Sequence, residues 1–139
     1  MSGKTYRHEH RVTYAECTLG NHIYYARYLD LLEAARGEFF RAVGVPLLSL
    51  QEQDTAFPIV ECQLKYKSYA RYDDVLGIEL WLEEMDRIRL RFGCRIENQS
   101  GRLILEGSTS HVCTTTTEKP KRLPTELTIA LRPFLQTKH

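Results

Sequence analysis

The sequence predicts an α+β architecture, one antiparallel sheet wrapped around a single long helix, and two patterns carry that prediction. Strand-like segments place apolar residues at every second position, the period of a strand with one covered face. One segment near the N-terminus shows instead the spacing of three and four that marks an amphipathic helix, with a stripe too apolar to stand uncovered.

Taken in order, Tyr6, His8, His10, Val12 and Tyr14 alternate with Arg7, Glu9, Arg11 and Thr13 and form the first strand. Tyr25, Tyr28, Leu29, Leu32, Ala35, Phe39, Phe40 and Val43 then line one side of the long helix, which Gly44 and Pro46 bring to an end. Val60, Cys62, Leu64 and Tyr66 give a second strand. The stretch VLGIELWLEEM gives a third, with Leu76, Ile78, Leu80 and Leu82 on one face. In RIRLRFGCRI the alternation is cleanest, with Ile88, Leu90, Phe92, Cys94 and Ile96 set against Arg87, Arg89, Arg91, Gly93 and Arg95. NQSG turns the chain, RLILEGSTSHVC is the last long strand, TTTTEKPKRLP reads as loop, and TELTIALRPFL as a short closing helix.

At 139 residues, with 42% hydrophobic and 27% charged residues, the expectation is a single domain over residues 1–139 with one core. A formal charge of +1 gives no whole-protein field that would draw nucleic acid or an anionic membrane. MSGKTYRHEHR has no apolar signal-like run, and nothing approaches the roughly 18 apolar residues of a membrane span. The expected location is therefore cytoplasmic. The four cysteines lack CxxC spacing, and Cys62 and Cys94 fall on apolar strand faces, so reduced and mostly buried thiols are expected. His8 with His10, and His111 with Cys113, are i,i+2 pairs without further ligand spacing, so no metal is assigned and no cofactor is expected.

The stretch GNHIYYARYLDLLEAAR resembles the opening of hotdog-fold acyl-CoA thioesterases of the 4-hydroxybenzoyl-CoA thioesterase type. YKSYARYDDVLGIEL and GSTSHVCTTTTEKPKRLP are similar to later segments of that family, in the right order. The resemblance implies a hotdog fold, hydrolysis of acyl-CoA by water, and homo-oligomers, either dimers or dimers of dimers. An acyl carrier protein as thioester donor, a non-catalytic acyl-thioester binder, and a hotdog dehydratase are the competing readings. The dehydratases rely on a His-containing motif that is not found here.

Departures from the family pattern shape the expected site. Members of this branch carry two aspartates before the glycine, the second catalytic. Aligned on His22, Tyr24 and Tyr25, these positions hold Glu16 and Thr18, and the glycine falls on Asn21 with Gly20 one residue early. A threonine hydroxyl orients a water but is no general base at neutral pH. Enediyne-type hotdog thioesterases also lack the acid at this place. The candidate catalytic residues are thus Glu33, Thr18, Glu16, Asn21 and His22. Glu33 is read either as half of an ion pair with Arg36 or as a base directed at a neighbouring subunit's site. Backbone N–H groups at a helix start around Ile23, Tyr24 and Tyr25 are the expected oxyanion donors. By family analogy, Arg71, Lys119, Lys121 and Arg122 are the expected contacts for the phosphates of coenzyme A. Cys17 beside His22 invites a nucleophile reading, but no third orienting group is evident.

Overall fold

The computed structural model describes residues 3–137. Five strands, β1 (Tyr6–Arg11), β4 (Ile59–Tyr66), β5 (Val75–Met85), β6 (Arg89–Glu97) and β7 (Leu103–Val112), form one sheet in the order β1-β5-β6-β7-β4. Every neighbouring pair is antiparallel. A separate hairpin of two residues per strand, β2 (Cys17–Thr18) and β3 (His22–Ile23), precedes the helix α1 (Arg27–Ala42). Two short helices, α2 (Leu47–Glu52) and α3 (Thr125–Leu131), complete the chain. The expected α+β arrangement, an antiparallel sheet around one long helix, is the one observed.

Period-2 patterning builds the inner face. Leu76, Ile78, Leu80 and Leu82 of β5 and Leu90, Phe92, Cys94 and Ile96 of β6 are buried in alternation, facing α1. From α1, Tyr28, Leu31, Leu32, Ala35, Phe39 and Phe40 enter that core. Phe39 is fully buried, stacked on Tyr6 at 5.0 Å and edge-on to Phe134 at 4.8 Å. Truncation of such a side chain to alanine costs about 3–5 kcal/mol.

The stripe departs from expectation at two residues, because Tyr25 lies before the helix and is exposed, and Leu29 is 38% exposed while Leu31 takes the inward position. Burial follows the line through Tyr28, Leu32, Ala35 and Phe39, and at 3.6 residues per turn Leu29 falls to its flank. Termination follows expectation. Gly44 adopts φ +86°, its N–H bonds to Arg41 O, and the N–H of buried Val45 bonds to Phe40 O, so the last carbonyls of α1 are satisfied by a glycine-dependent cap. Pro46 then opens α2.

The second correction concerns β4. Its apolar residues were expected on a covered face, yet Val60, Cys62 and Tyr66 are exposed and Leu64 is only partly buried. The helix explains this, because α1 packs against β1 and β5, leaving the far edge of the sheet uncovered. Of the four thiols, Cys94 and Cys113 are buried, Cys17 is half-buried and Cys62 is not buried. An eight-residue edge strand with Ile59, Val60 and Tyr66 open is the least protected part of the sheet.

Candidate active site

The hairpin before α1 is built by two residues with positive φ. Gly20 (φ +90°) and Asn21 (φ +60°) turn the chain between Thr18 and His22, and the Asn21 N–H bonds to Thr18 O at 3.1 Å. Asparagine is among the few side chains that take this left-handed conformation readily. The loop therefore keeps its turn although the glycine lies one residue early. At its tip Leu19 is 94% exposed.

Several bonds then fix the entry into α1. Ile23 N–H donates to Ala70 O at 2.9 Å, Tyr24 N–H to Glu16 O at 3.3 Å, and Arg27 N–H to Tyr24 O at 2.8 Å. The Ala70 N–H donates to the hydroxyl of buried Tyr28 at 3.2 Å, and Tyr66 donates its hydroxyl to Tyr25 O at 3.1 Å. The helix thus begins at Arg27, later than the Ile23–Tyr25 expectation, and the amides of Ile23 and Tyr24 are already spent. The N–H of Tyr25 has no partner among the described residues.

A cavity of about 570 Å³ opens beside this turn, walled by Thr18, His22, Ile23, Tyr24, Tyr25, Tyr28, Tyr66, Lys67, Ser68 and Tyr69. Thr18, His22 and the helix entry are therefore brought together. The His22 ring packs on Tyr69 at 4.5 Å, and its Nδ1 lies 3.2 Å from Ile23 O. Because a carbonyl only accepts, Nδ1 carries the proton in that contact, and Nε2 is left as a proton acceptor. Burial pushes the Tyr28 and Tyr66 phenols above the ordinary value, and a hydrogen bond with Tyr25 does so for Tyr24. These phenols stay protonated; Tyr66 donates to Tyr25 O, whereas Tyr28 accepts from the Ala70 N–H.

Other expected residues lie elsewhere. Asn21 lines a neighbouring space of about 610 Å³ instead, with Tyr14, Leu19 and Tyr72, and Thr18 borders both. Glu16 accepts from Thr13 N–H at 2.8 Å and contacts His10 Nε2 at 2.8 Å. Partial burial would raise its pKa, but the bonds from Thr13 and His10 outweigh it and hold the carboxyl below the ordinary value. Such a carboxylate is a cap for the turn at residues 14–16, and a poor base. Glu33 and Arg36 make no ion pair within 4.0 Å, and both line a different cavity of about 390 Å³ with Phe40, Leu47, Gln51, Thr55, Ala56, Phe57, Ile59, Phe92 and His111.

The four cations expected to meet coenzyme A are divided. Arg71 adjoins the hairpin, its Nη1 donating to Gly20 O at 3.3 Å. Lys119 and Arg122 are exposed beyond β7. The Lys121 ammonium is engaged by Gln53 O, Asp54 O and Thr55 Oγ1 at 2.6–3.1 Å, anchoring the exit of α2. Sequence reasoning also passed over Tyr28 and Tyr66 as wall residues, since both read as core positions. His111 is buried with both ring nitrogens bonded, to Phe57 O at 3.1 Å and Thr109 Oγ1 at 3.0 Å.

Residues 12–131 match the thioesterase-like superfamily. The chain is 30% identical to the acyl-CoA thioester hydrolase YbgC of Escherichia coli O157:H7 over 125 residues, 89% of this chain and 93% of that protein. Among solved structures, a hypothetical protein from Thermus thermophilus, TT1821, superposes with a TM-score of 0.88 at 29% identity, covering 96% of this chain and 100% of the other. A DHNA-CoA thioesterase from Staphylococcus aureus superposes with a TM-score of 0.82 at 28% identity, covering 86% and 80%.

Proposed function

The chain belongs to the thioesterase-like superfamily, has the hotdog fold and is a thioesterase, and we propose that it hydrolyses acyl-CoA to a carboxylic acid and free coenzyme A at the hairpin cavity. The observation that carries this reading is the Tyr25 N–H, the one amide of the three expected donors left without a partner, on the wall that also presents Thr18 and His22. A thioester carbonyl bound there receives the Tyr25 N–H as its oxyanion forms. Loss of one such donor typically costs about 3 kcal/mol of transition-state stabilisation. The hydroxyl of Thr18 positions the water, and His22 Nε2 takes its proton. The leaving thiolate needs little protonation, so no strong general acid is required, and the base role of an aspartate at position 18 passes to His22.

A second copy of the chain completes the site in this reading. The ends of β4 lie about 23 Å apart, the span of an eight-residue strand rising about 3.3 Å per step. Tyr66, at one end, borders the Thr18 cavity, and Ile59, at the other, borders the Glu33 cavity. Antiparallel pairing of β4 with the β4 of a second copy, about a twofold axis near its middle, sets the Glu33 cavity of one chain against the Thr18 cavity of the other. Glu33 then becomes an alternative base in the composite cleft. The split set of cations likewise converges there, with Arg71 from one chain and Lys119 and Arg122 from the other meeting the phosphates.

Thiol release from a panel of acyl-CoAs tests the reaction, with the same acyl groups on acyl carrier protein as a second arm. Turnover that falls sharply in Thr18→Ala and His22→Ala supports it. Tight acyl-CoA binding with no thiol release from any member would instead establish the non-catalytic binder, a reading kept in view because no carboxylate lines the hairpin cavity.

A further inference from the structure

The cavity against the second half of α1 contains a cation that the chain itself does not use. Arg36 is half-buried on its wall, yet it makes no hydrogen bond and no ion pair within 4.0 Å among the described residues. Glu33, one turn earlier on the same wall, does not close on it, and His111 has both ring nitrogens occupied. Burial holds the Arg36 guanidinium below the ordinary arginine value, with Glu33 acting in the opposite direction. Around it the wall combines Phe40, Phe57 and Phe92 with the polar Gln51 and Thr55. A guanidinium carries five N–H donors in a fixed fork, and a ligand that covers this cavity must supply acceptors for them or leave them unmet at a cost.

We propose that this cavity receives the far end of the acyl group, and that Arg36 recognises an acceptor oxygen there, a carboxylate or a hydroxyl. The proposal rests on the composite-cleft reading, because the two cavities lie at opposite ends of β4 in one chain. The hydrocarbon stem packs on Phe40, Phe57 and Phe92, and the oxygen meets Arg36. With His22 as the base, Glu33 is free to separate the two kinds of oxygen. A hydroxyl donates to it while accepting from Arg36, whereas a carboxylate must outweigh its repulsion with a charge-assisted contact to Arg36.

The test uses three acyl-CoAs of equal chain length, hexanoyl-, 6-hydroxyhexanoyl- and adipoyl-CoA, with the full-length wild type and Arg36→Met. The wild type is expected to favour an oxygenated chain over hexanoyl by about 10-fold or more in kcat/KM, the value of one hydrogen bond to a charged group. In Arg36→Met that ratio should fall to about one, and whichever oxygenated substrate leads identifies the oxygen. A wild type that prefers hexanoyl overturns the proposal. So does an Arg36→Met enzyme that loses activity on all three equally, which would assign Arg36 a structural role. Should Arg36→Met fail to fold, Arg36→Lys serves, since it keeps the charge but loses the fork. If no thioester is hydrolysed, the failure belongs to the reaction. Calorimetric titration with adipate, 6-hydroxyhexanoate and hexanoate then decides the pocket: selective binding of an oxygenated acid, lost with Arg36, supports it, and indifference among the three refutes it.

Discussion

Tyr66 donates its hydroxyl to the carbonyl oxygen of Tyr25 over 3.1 Å, which ties the end of the edge strand β4 to the turn that enters α1. The same residue carries the unspent N–H, so this bond steadies the backbone on which the oxyanion site is proposed. Tyr66→Phe is expected to lower kcat by about 5- to 10-fold. Its stability should fall by no more than about 1 kcal/mol, because the bond is exposed and its net worth modest. Kinetics and urea denaturation on the same preparation check both halves.

Why that bond escaped the sequence is instructive. Tyr66 alternates with Lys65 and Lys67 and so reads as an inward core position on β4. Periodicity reports which residues share a face, but not whether α1 reaches far enough to cover it. The same limit explains exposed Cys62 and Val60. Within β5 and β6, where the helix does reach, the inward rows predicted from alternation are the buried ones. The β2–β3 hairpin was not read from the sequence, although Gly20 and Asn21 are residues that tolerate positive φ, and the bonds consuming the Ile23 and Tyr24 amides come from Ala70 and Glu16 and leave no mark in the local pattern.

Water activation separates His22 from Glu33. If His22 is the base, His22→Gln should lower kcat by about 10²-fold with little change in substrate binding, while Glu33→Gln stays within a few-fold of wild type. The reverse pattern assigns the base to Glu33 of a second copy. Retention of wild-type kcat by both variants and by the double mutant would leave a water held by Thr18 as the better account. Pre-steady-state thiol release with independently measured acyl-CoA affinity distinguishes the three.

Association is expected through β4. Placing a charge on the open edge, as in Val60→Lys, should yield a monomer by sizing at micromolar concentration and lower activity together with it. A wild-type protein that is already monomeric and fully active would remove the composite cleft.

His111 gives stability a defined pH dependence. Burial pushes its pKa from 6.5 down to about 4, the bond to Phe57 O partly opposes that, and Arg36 adds to the lowering. The unfolded chain therefore binds a proton over a range where the folded chain does not. Stability is full above about pH 6.5 and declines as pH falls toward 4, by up to about 3 kcal/mol from this group. The lowered carboxyls of Glu16 and Asp54 act at the acid end of that range and below it, since their unfolded values lie near 4.5 and 3.8. Urea denaturation between pH 4.5 and 7.5 should give a slope that disappears in His111→Gln.

The hairpin turn sets the last expectation. Gly20 sits at φ +90°, which proline cannot adopt, since its ring holds φ near −65°. Gly20→Pro should therefore displace Thr18 and His22 relative to Tyr25 and lower kcat far more than any side-chain removal in the loop. Asn21 lies at φ +60° and does not line the hairpin cavity, so its contribution is conformational. Asn21→Ala should lower kcat moderately by making the left-handed turn costlier, and Asn21→Gly should restore it, because glycine takes that conformation freely. Activity that stays low in Asn21→Gly would mean that the amide side chain itself contacts substrate, and the loop would then present its opposite face to the thioester.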